Sequence, residues 1–276
     1  MLIMEQFKNN FKRIKMKFNN KNVSYGKNVS IGKNVKIGDN TIIYDNVNIG
    51  DNTIICNDCV IGEPLNAYYS DDKYVNPPTL IGANSLIRSH SIIYADSEFG
   101  DYLNTGHRVT IREKTIAGHH CMFGSYNDIQ GLCKIGNYNR FHSYVNIGQE
   151  SELGDYVFIY PFVVLTNDAT PPSNNLLGVK IGDFSQITTA AILLPGCVIG
   201  KHSLVAANST VGGNYPDNSF ISGSPAKRIG VLSKMPFFND ENKRYYPWTN
   251  NFSRGMPWAD LGFERWNNIE SNKNDE

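Results

Sequence analysis

The sequence predicts an all-β chain wound as a parallel β-helix, and two observations carry that reading. Large apolar residues recur at every sixth position: Tyr25, Ile31, Ile37, Ile43, Ile49, Ile55 and Ile61, then Ile81 through Leu165, then Ile181 through Val211. Most of the 24 glycines follow one of them directly. A period of six fits neither the 3.6-residue helix nor a meander of longer alternating strands. Three short strands then close one coil of eighteen residues, and the run amounts to about nine coils stacked at about 4.8 Å.

Two residues before each apolar position the side chain is again small or β-branched, as at Val29, Thr41, Val47, Cys59, Ser85 and Val109. Positions i and i−2 of an extended segment face the same way, so both point inward. The glycine after each pair is expected to give the backbone freedom for a corner. Residues 1–20 read as a lead-in that caps the first coil, with Phe7, Phe11, Ile14 and Phe18 at near-helical spacing. The β-helix is expected over 21–230. The phase breaks twice, which places excursion loops at 63–78 and 167–178. Residues 231–276 hold all three tryptophans and read as an irregular or helical aromatic extension, too aromatic for simple disorder.

Composition narrows the function. Twenty-six basic and 26 acidic residues leave no net charge, against the basic footprint of a nucleic-acid binder. No apolar run reaches the ~18 residues of a membrane span. Five cysteines, an odd number without dense spacing, fit a reduced, cytoplasmic setting. Cys56 and Cys59 form a C-x-x-C, but Cys59, Cys121, Cys133 and Cys197 occupy inward positions where a small thiol packs.

The strings IGKNVKIGDN and VNIGDN resemble the hexapeptide-repeat acyltransferase family, and the resemblance extends over residues 23–230. It implies left-handed coils, a homotrimer with active sites between subunits, and acyl-CoA as co-substrate with no metal. Within the family the chain looks most like N-acyltransferases of dTDP-linked 3-amino or 4-amino dideoxy sugars that serve surface polysaccharides. The acyl group would be acetyl or 3-hydroxybutanoyl.

Several residues then become candidates. All six histidines fall at corners, and His107 stands out because its inward neighbour is Thr105 and Gly106 adjoins it. Residues 18 apart stack, so Arg88, Gly106, Gly124, His142 and Tyr160 share a column, and the two glycines suggest a gap for a ligand. The segment around His107 resembles the family stretch that carries the active-site histidine. A neutral imidazole can take the proton of an attacking amine. Asp96 and Ser97 can orient that amine, although Ser97 sits at an inward position typical of core filler. Arg88 is a candidate for substrate binding. Thr166-Asn167-Asp168 before Pro171 resembles a family loop near sugar and coenzyme, which makes Asn167 and Asp168 candidate sugar ligands, while the same string also sets a rigid turn.

Small residues at late corners, Ala190 and Ala207, permit close approach of a pantetheine arm, with the Ala190 N–H as oxyanion donor. Gly223-Ser224-Pro225-Ala226-Lys227 resembles the family's terminal signature, and Lys227 and Arg228 can meet coenzyme phosphates. Tyr68, Tyr69 and Tyr74, with Tyr246, Trp248 and Trp258 in the tail, either stack on a nucleobase or pack their own segments down. Three alternatives stay open: O-acylation of a small hydroxyl acceptor, a metal-dependent β-helical hydratase using His107, His119 and His142, and a purely structural or binding module.

Overall fold

A computed structural model describes residues 18–274. The lead-in expected at 1–20, with Phe7, Phe11 and Ile14, lies almost wholly outside those residues. From Ser24 onward the chain winds as a three-faced left-handed parallel β-helix. Face 1 starts at Ser24–Tyr25, face 2 at Ser30–Ile31 and face 3 at Lys36–Ile37. Faces 1 and 2 each hold 10 strands and face 3 holds 11. The count of turns is thus about 11 rather than nine. Part of the shortfall has a local cause: the step from Val211 to Tyr215 is four residues, because Gly213 at φ +84° closes a shorter corner and hides the last coil from a six-residue count. Strand Ala226–Val231 then folds back antiparallel on Ser219–Gly223 and ends face 3.

Each pair of strands stacks 18 residues apart in register, for example Ile111 on Ile129 and Phe123 on Phe141. The inward columns form one continuous apolar core in which Ile55, Ile61, Ile87, Ile111, Phe123 and Ile129 have no exposed surface. Cys59, Cys121, Cys133 and Cys197 lie in that core. Burial pushes the thiols of Cys59, Cys121 and Cys197 up to about 12, so they pack rather than react.

The corners correct one expectation. The left-handed residue of a corner is not the glycine but the residue two further on, such as Asn28 (φ 55°), Asn34 (φ 58°) and Asn40 (φ 56°). Asparagine tolerates this region better than most side chains. The glycine serves space instead, since a Cβ on Gly26 would strike the Asp45 corner of the next coil. Corner carboxylates then cap the coil before them: Asp45 accepts the Lys27 N–H at 2.7 Å and Asp101 accepts that of Ala83 at 2.7 Å.

Both excursions leave the same edge of the prism, between faces 1 and 2. The first carries a short 3-10 turn at Asn66–Tyr69 and is tied down by buried Asn76, whose side chain donates to Gly62 O at 2.9 Å. The second is pinned by a bridge between Asp168 and Leu176. The C-terminal extension packs back on face 3 and ends in a helix, Phe263–Asn274. Trp248 anchors it by donating Nε1–H to Phe184 O at 2.8 Å. Trp258, 1% exposed, centres a second apolar cluster with Tyr156, Phe158, Trp248 and Met256. No helix among the described residues is long and apolar enough to cross a membrane.

Candidate functional site

His107 lies on the edge between faces 3 and 1. Thr105 explains the local geometry: its inward hydroxyl accepts the Arg88 N–H at 2.9 Å, a backbone donor that elsewhere meets a strand carbonyl. The imidazole itself is exposed. Its Nδ1 lies 2.8 Å from Ser89 Oγ, one coil earlier, and its backbone N–H donates to Ser125 Oγ at 3.0 Å, one coil later. With Nδ1–H donating to Ser89, the Nε2 lone pair is left to take a proton. The orienting partner is a neutral hydroxyl rather than a carboxylate.

The Arg88, Gly106, Gly124, His142 and Tyr160 column forms as expected, with His142 stacked on Tyr160 at 5.1 Å. The gap expected at the two glycines does not. A Cβ on Gly106 would strike Ser125, and one on Gly124 would strike the His142 backbone, so the next coil already fills that space. Burial and the Arg140 charge hold the His142 imidazole below the ordinary histidine range, which favours its neutral form.

Ala190 and Ala207 share the His107 edge. The Ala190 N–H is not open to an oxyanion, because it donates to Pro161 O at 3.0 Å. The open donors stand one residue earlier in each corner. On the edge between faces 2 and 3 an unbroken series caps these N–H groups: Asp101 by His119 Nδ1, His119 by Asn137, Asn137 by Asp155 and Asp155 by Asp183. On the His107 edge the caps stop. The N–H groups of Ser125, Ser143, Thr189 and Ala207 make no hydrogen bond among the described residues. The sequence carries a signal for this, since Pro161 and Ala207 lack the acceptor side chain that caps need.

The remaining candidates lie elsewhere. Asp96, Ser97, Tyr68, Tyr69, Asn167 and Asp168 all sit at the edge between faces 1 and 2, so one chain does not bring them to His107. Ser97 is 3% exposed and its hydroxyl donates to Arg112 O at 3.2 Å. Asp168 accepts from Thr170 N–H at 2.9 Å, Ser173 N–H at 2.7 Å and Ser173 Oγ at 2.8 Å. The Ser173 hydroxyl in particular holds its carboxyl below the ordinary range. Tyr68 meets Tyr44, Tyr69 and Tyr74 edge-on, which packs the loop. Lys227 and Arg228 are exposed on the terminal strand, and Arg228 Nε donates to Ser219 Oγ at 2.9 Å. Of the tail aromatics, Trp258 is enclosed and cannot stack on a ligand, whereas Tyr246 and Trp248 line a cavity against face 3. No cluster of metal-ligating side chains occurs among the described residues, where His119 lies on a different edge from His107 and His142.

Residues 28–63 match the family described as "Bacterial transferase hexapeptide (six repeats)". Galactoside O-acetyltransferase of Escherichia coli (strain K12) is 29% identical over 102 residues, covering 34% of this chain and 47% of that protein. "Putative lipopolysaccharide biosynthesis O-acetyl transferase WbbJ" of the same organism is 40% identical over 62 residues, covering 21% of this chain and 32% of that one. The chain thus spans less than half the length of either curated relative. Among solved structures it is similar to the serine acetyltransferase CysE of Neisseria gonorrhoeae, with 25% identity, TM-score 0.36, and coverage of 40% of this chain and 42% of that chain. Residues 28–63 thus match the bacterial transferase hexapeptide repeat, within a β-helix that continues well beyond them.

Proposed function

We propose that the protein is an acyl-CoA-dependent N-acyltransferase that acylates the amino group of a nucleotide-linked amino dideoxy sugar, dTDP-linked by resemblance, in the cytoplasm. One observation carries the reading: a single edge of the prism presents an exposed imidazole, His107, in the same column as the unbonded N–H groups of Ser125, Ser143, Thr189 and Ala207. Amide groups of a pantetheine arm match that row, with Lys227 and Arg228 toward the coenzyme phosphates. The Ser125 N–H, one coil from His107, faces the thioester oxygen as charge develops on it. The amine attacks the thioester carbonyl, His107 takes its proton at Nε2, and the thiolate leaves protonated.

A second copy completes the site. Beside His107 an exposed ladder of rings, Tyr126, Tyr144 and Phe162, runs along the same edge at centroid spacings of 5.0 and 5.2 Å. These rings are 48%, 49% and 56% exposed, an apolar strip that suits burial in a homotrimer. Such contact brings Asn167, Asp168 and the Asp96 corner of a neighbour toward His107. The absence of a carboxylate on His107 favours an amine over a hydroxyl acceptor, because an alcohol needs the stronger base. The test is thiol release from acetyl-CoA or 3-hydroxybutanoyl-CoA with dTDP- and UDP-linked amino sugars and their hydroxyl counterparts. Release with amino sugars alone supports the reading; release with the hydroxyl compounds alone replaces it with O-acylation.

A further inference from the structure

The C-terminal extension does more than cover face 3. Between the two lies a cavity of about 640 Å³, within the range of small-ligand sites. Its floor is the outward side of five successive coils, including Met122, Arg140, Phe158 and Gln186, and its roof is the tail segment around Tyr246, Trp248 and Arg254.

Two features of the wall are hard to explain as packing. First, Arg140 and Arg254 both line it, and no carboxylate does. Arg140 Nη2 donates to the Arg254 carbonyl at 2.9 Å, and its guanidinium lies over the rings of Phe158 and Phe252 at 5.9 and 5.2 Å, but it makes no ion pair among the described residues. Two like charges converging on a partly dehydrated space call for an anion. Second, the wall pairs flat surfaces with neutral hydrogen-bonding groups. Trp248 packs on Phe158 at a centroid distance of 4.5 Å, Tyr160 and Tyr246 add two more rings to the lining, and Gln186, Asn251 and the imidazole of His142 supply donors and acceptors. Flat walls, uncharged polar groups and paired guanidiniums together describe a nucleobase joined to phosphate.

The position fits as well. His142 lines the cavity from the edge between faces 3 and 1, in the column next to His107 and two coils beyond it. Two coils span about 10 Å at the inter-strand spacing, roughly the reach of a diphosphate and a hexose. We infer that this cavity seats the nucleoside diphosphate of the acceptor, so that its sugar projects along the edge to His107. The inference rests on the proposed acyl transfer to a nucleotide-linked sugar. Coenzyme A offers the same chemistry through its own adenosine phosphates, and the test separates the two.

The full-length protein is titrated with dTDP, UDP and CoA, followed by tryptophan fluorescence and calorimetry, for wild type, Arg140→Met and Met122→Trp. The first variant removes a charge; the second fills the cavity from its floor and removes none. Both are expected to weaken nucleoside diphosphate binding about tenfold or more, with CoA affinity unchanged as a check on folding. Unchanged dTDP and UDP affinity in both variants overturns the inference, and so does a selective loss of CoA binding. Turnover of an amino sugar with an unaltered acceptor KM in both variants would sink the cavity assignment while leaving the acyltransferase reading intact. Absence of turnover with every acceptor, alongside nucleotide binding lost in the variants, would do the reverse.

Discussion

His107 Nδ1 lies 2.8 Å from the hydroxyl of Ser89, one coil earlier on the same edge of the prism. The contact holds the ring's orientation without adding a negative charge beside it. Replacement of His107 by Asn should therefore lower kcat about a hundredfold or more, the usual contribution of a general base, with the melting temperature unchanged because the side chain is exposed. Ser89→Ala should cost only a fewfold loss in kcat. Steady-state kinetics of the two variants checks both, and a His107→Asn enzyme with more than about a tenth of wild-type kcat rules out the base.

Asp168 shapes its loop through three hydrogen bonds from Thr170 and Ser173. Asp168→Ala opens that turn, and kcat/KM for the acceptor should fall about tenfold, mostly through KM, as expected when a charge-assisted hydrogen-bond set is lost. Acceptor saturation curves at fixed acyl-CoA measure the split. A loss confined to kcat would place Asp168 in the chemistry instead.

The legible part of this molecule is whatever the six-residue period controls. Ile111, Phe123 and Ile129 point inward because strand alternation and stacking leave no other arrangement, and Cys59, Cys121, Cys133 and Cys197 follow the same phase. The short step to Tyr215 breaks the phase and conceals a coil. The corners are less legible: Gly106 and Gly124 suggest a vacancy by sequence, whereas close approach of the next coil accounts for them. The cavity is hidden from the sequence because its roof and floor, such as Trp248 and Phe158, are far apart along the chain. A signal exists in the outward column Met122, Phe158 and Leu204, apolar side chains on what an uncovered coil would leave to water. Separating the edges of His107 and Asp168 requires counting corners, not just coils.

His120 is half-buried between the rings of Tyr102 and Tyr138, at 4.3 and 4.4 Å. Desolvation there, and then the neighbouring His119, hold its pKa below the ordinary value of 6.5. The unfolded chain thus binds more protons between the two values, so the stability His120 contributes is fully present above about 6.5 and is lost as pH falls through that window. Thermal melts from pH 7.5 to 5 should show a declining midpoint, and His120→Phe, which keeps the ring stack without a titrating proton, should flatten part of the decline. An unchanged slope in that variant contradicts the assignment.

Trp258→Ala should remove about 3–5 kcal/mol of packing, localised to the tail because the cluster around Trp258 is separate from the β-helix core. Limited proteolysis should then cut within 235–270 at protease levels that leave wild type intact, with far-UV circular dichroism of the coils retained. Cooperative loss of the whole fold would show that the tail and coils unfold as one.

Within one chain His107 and Asp168 stand on different edges, so the proposed site exists only between copies. Co-expression of His107→Asn and Asp168→Ala chains, separately tagged and purified as mixed oligomers, tests that claim most directly. In a purified mixed trimer one interface of three restores both native residues, and thiol release should rise to about a third of the wild-type kcat/KM, well above either parent. Activity that stays at the mean of the two parents would contradict a shared site and confine the chemistry to a single chain.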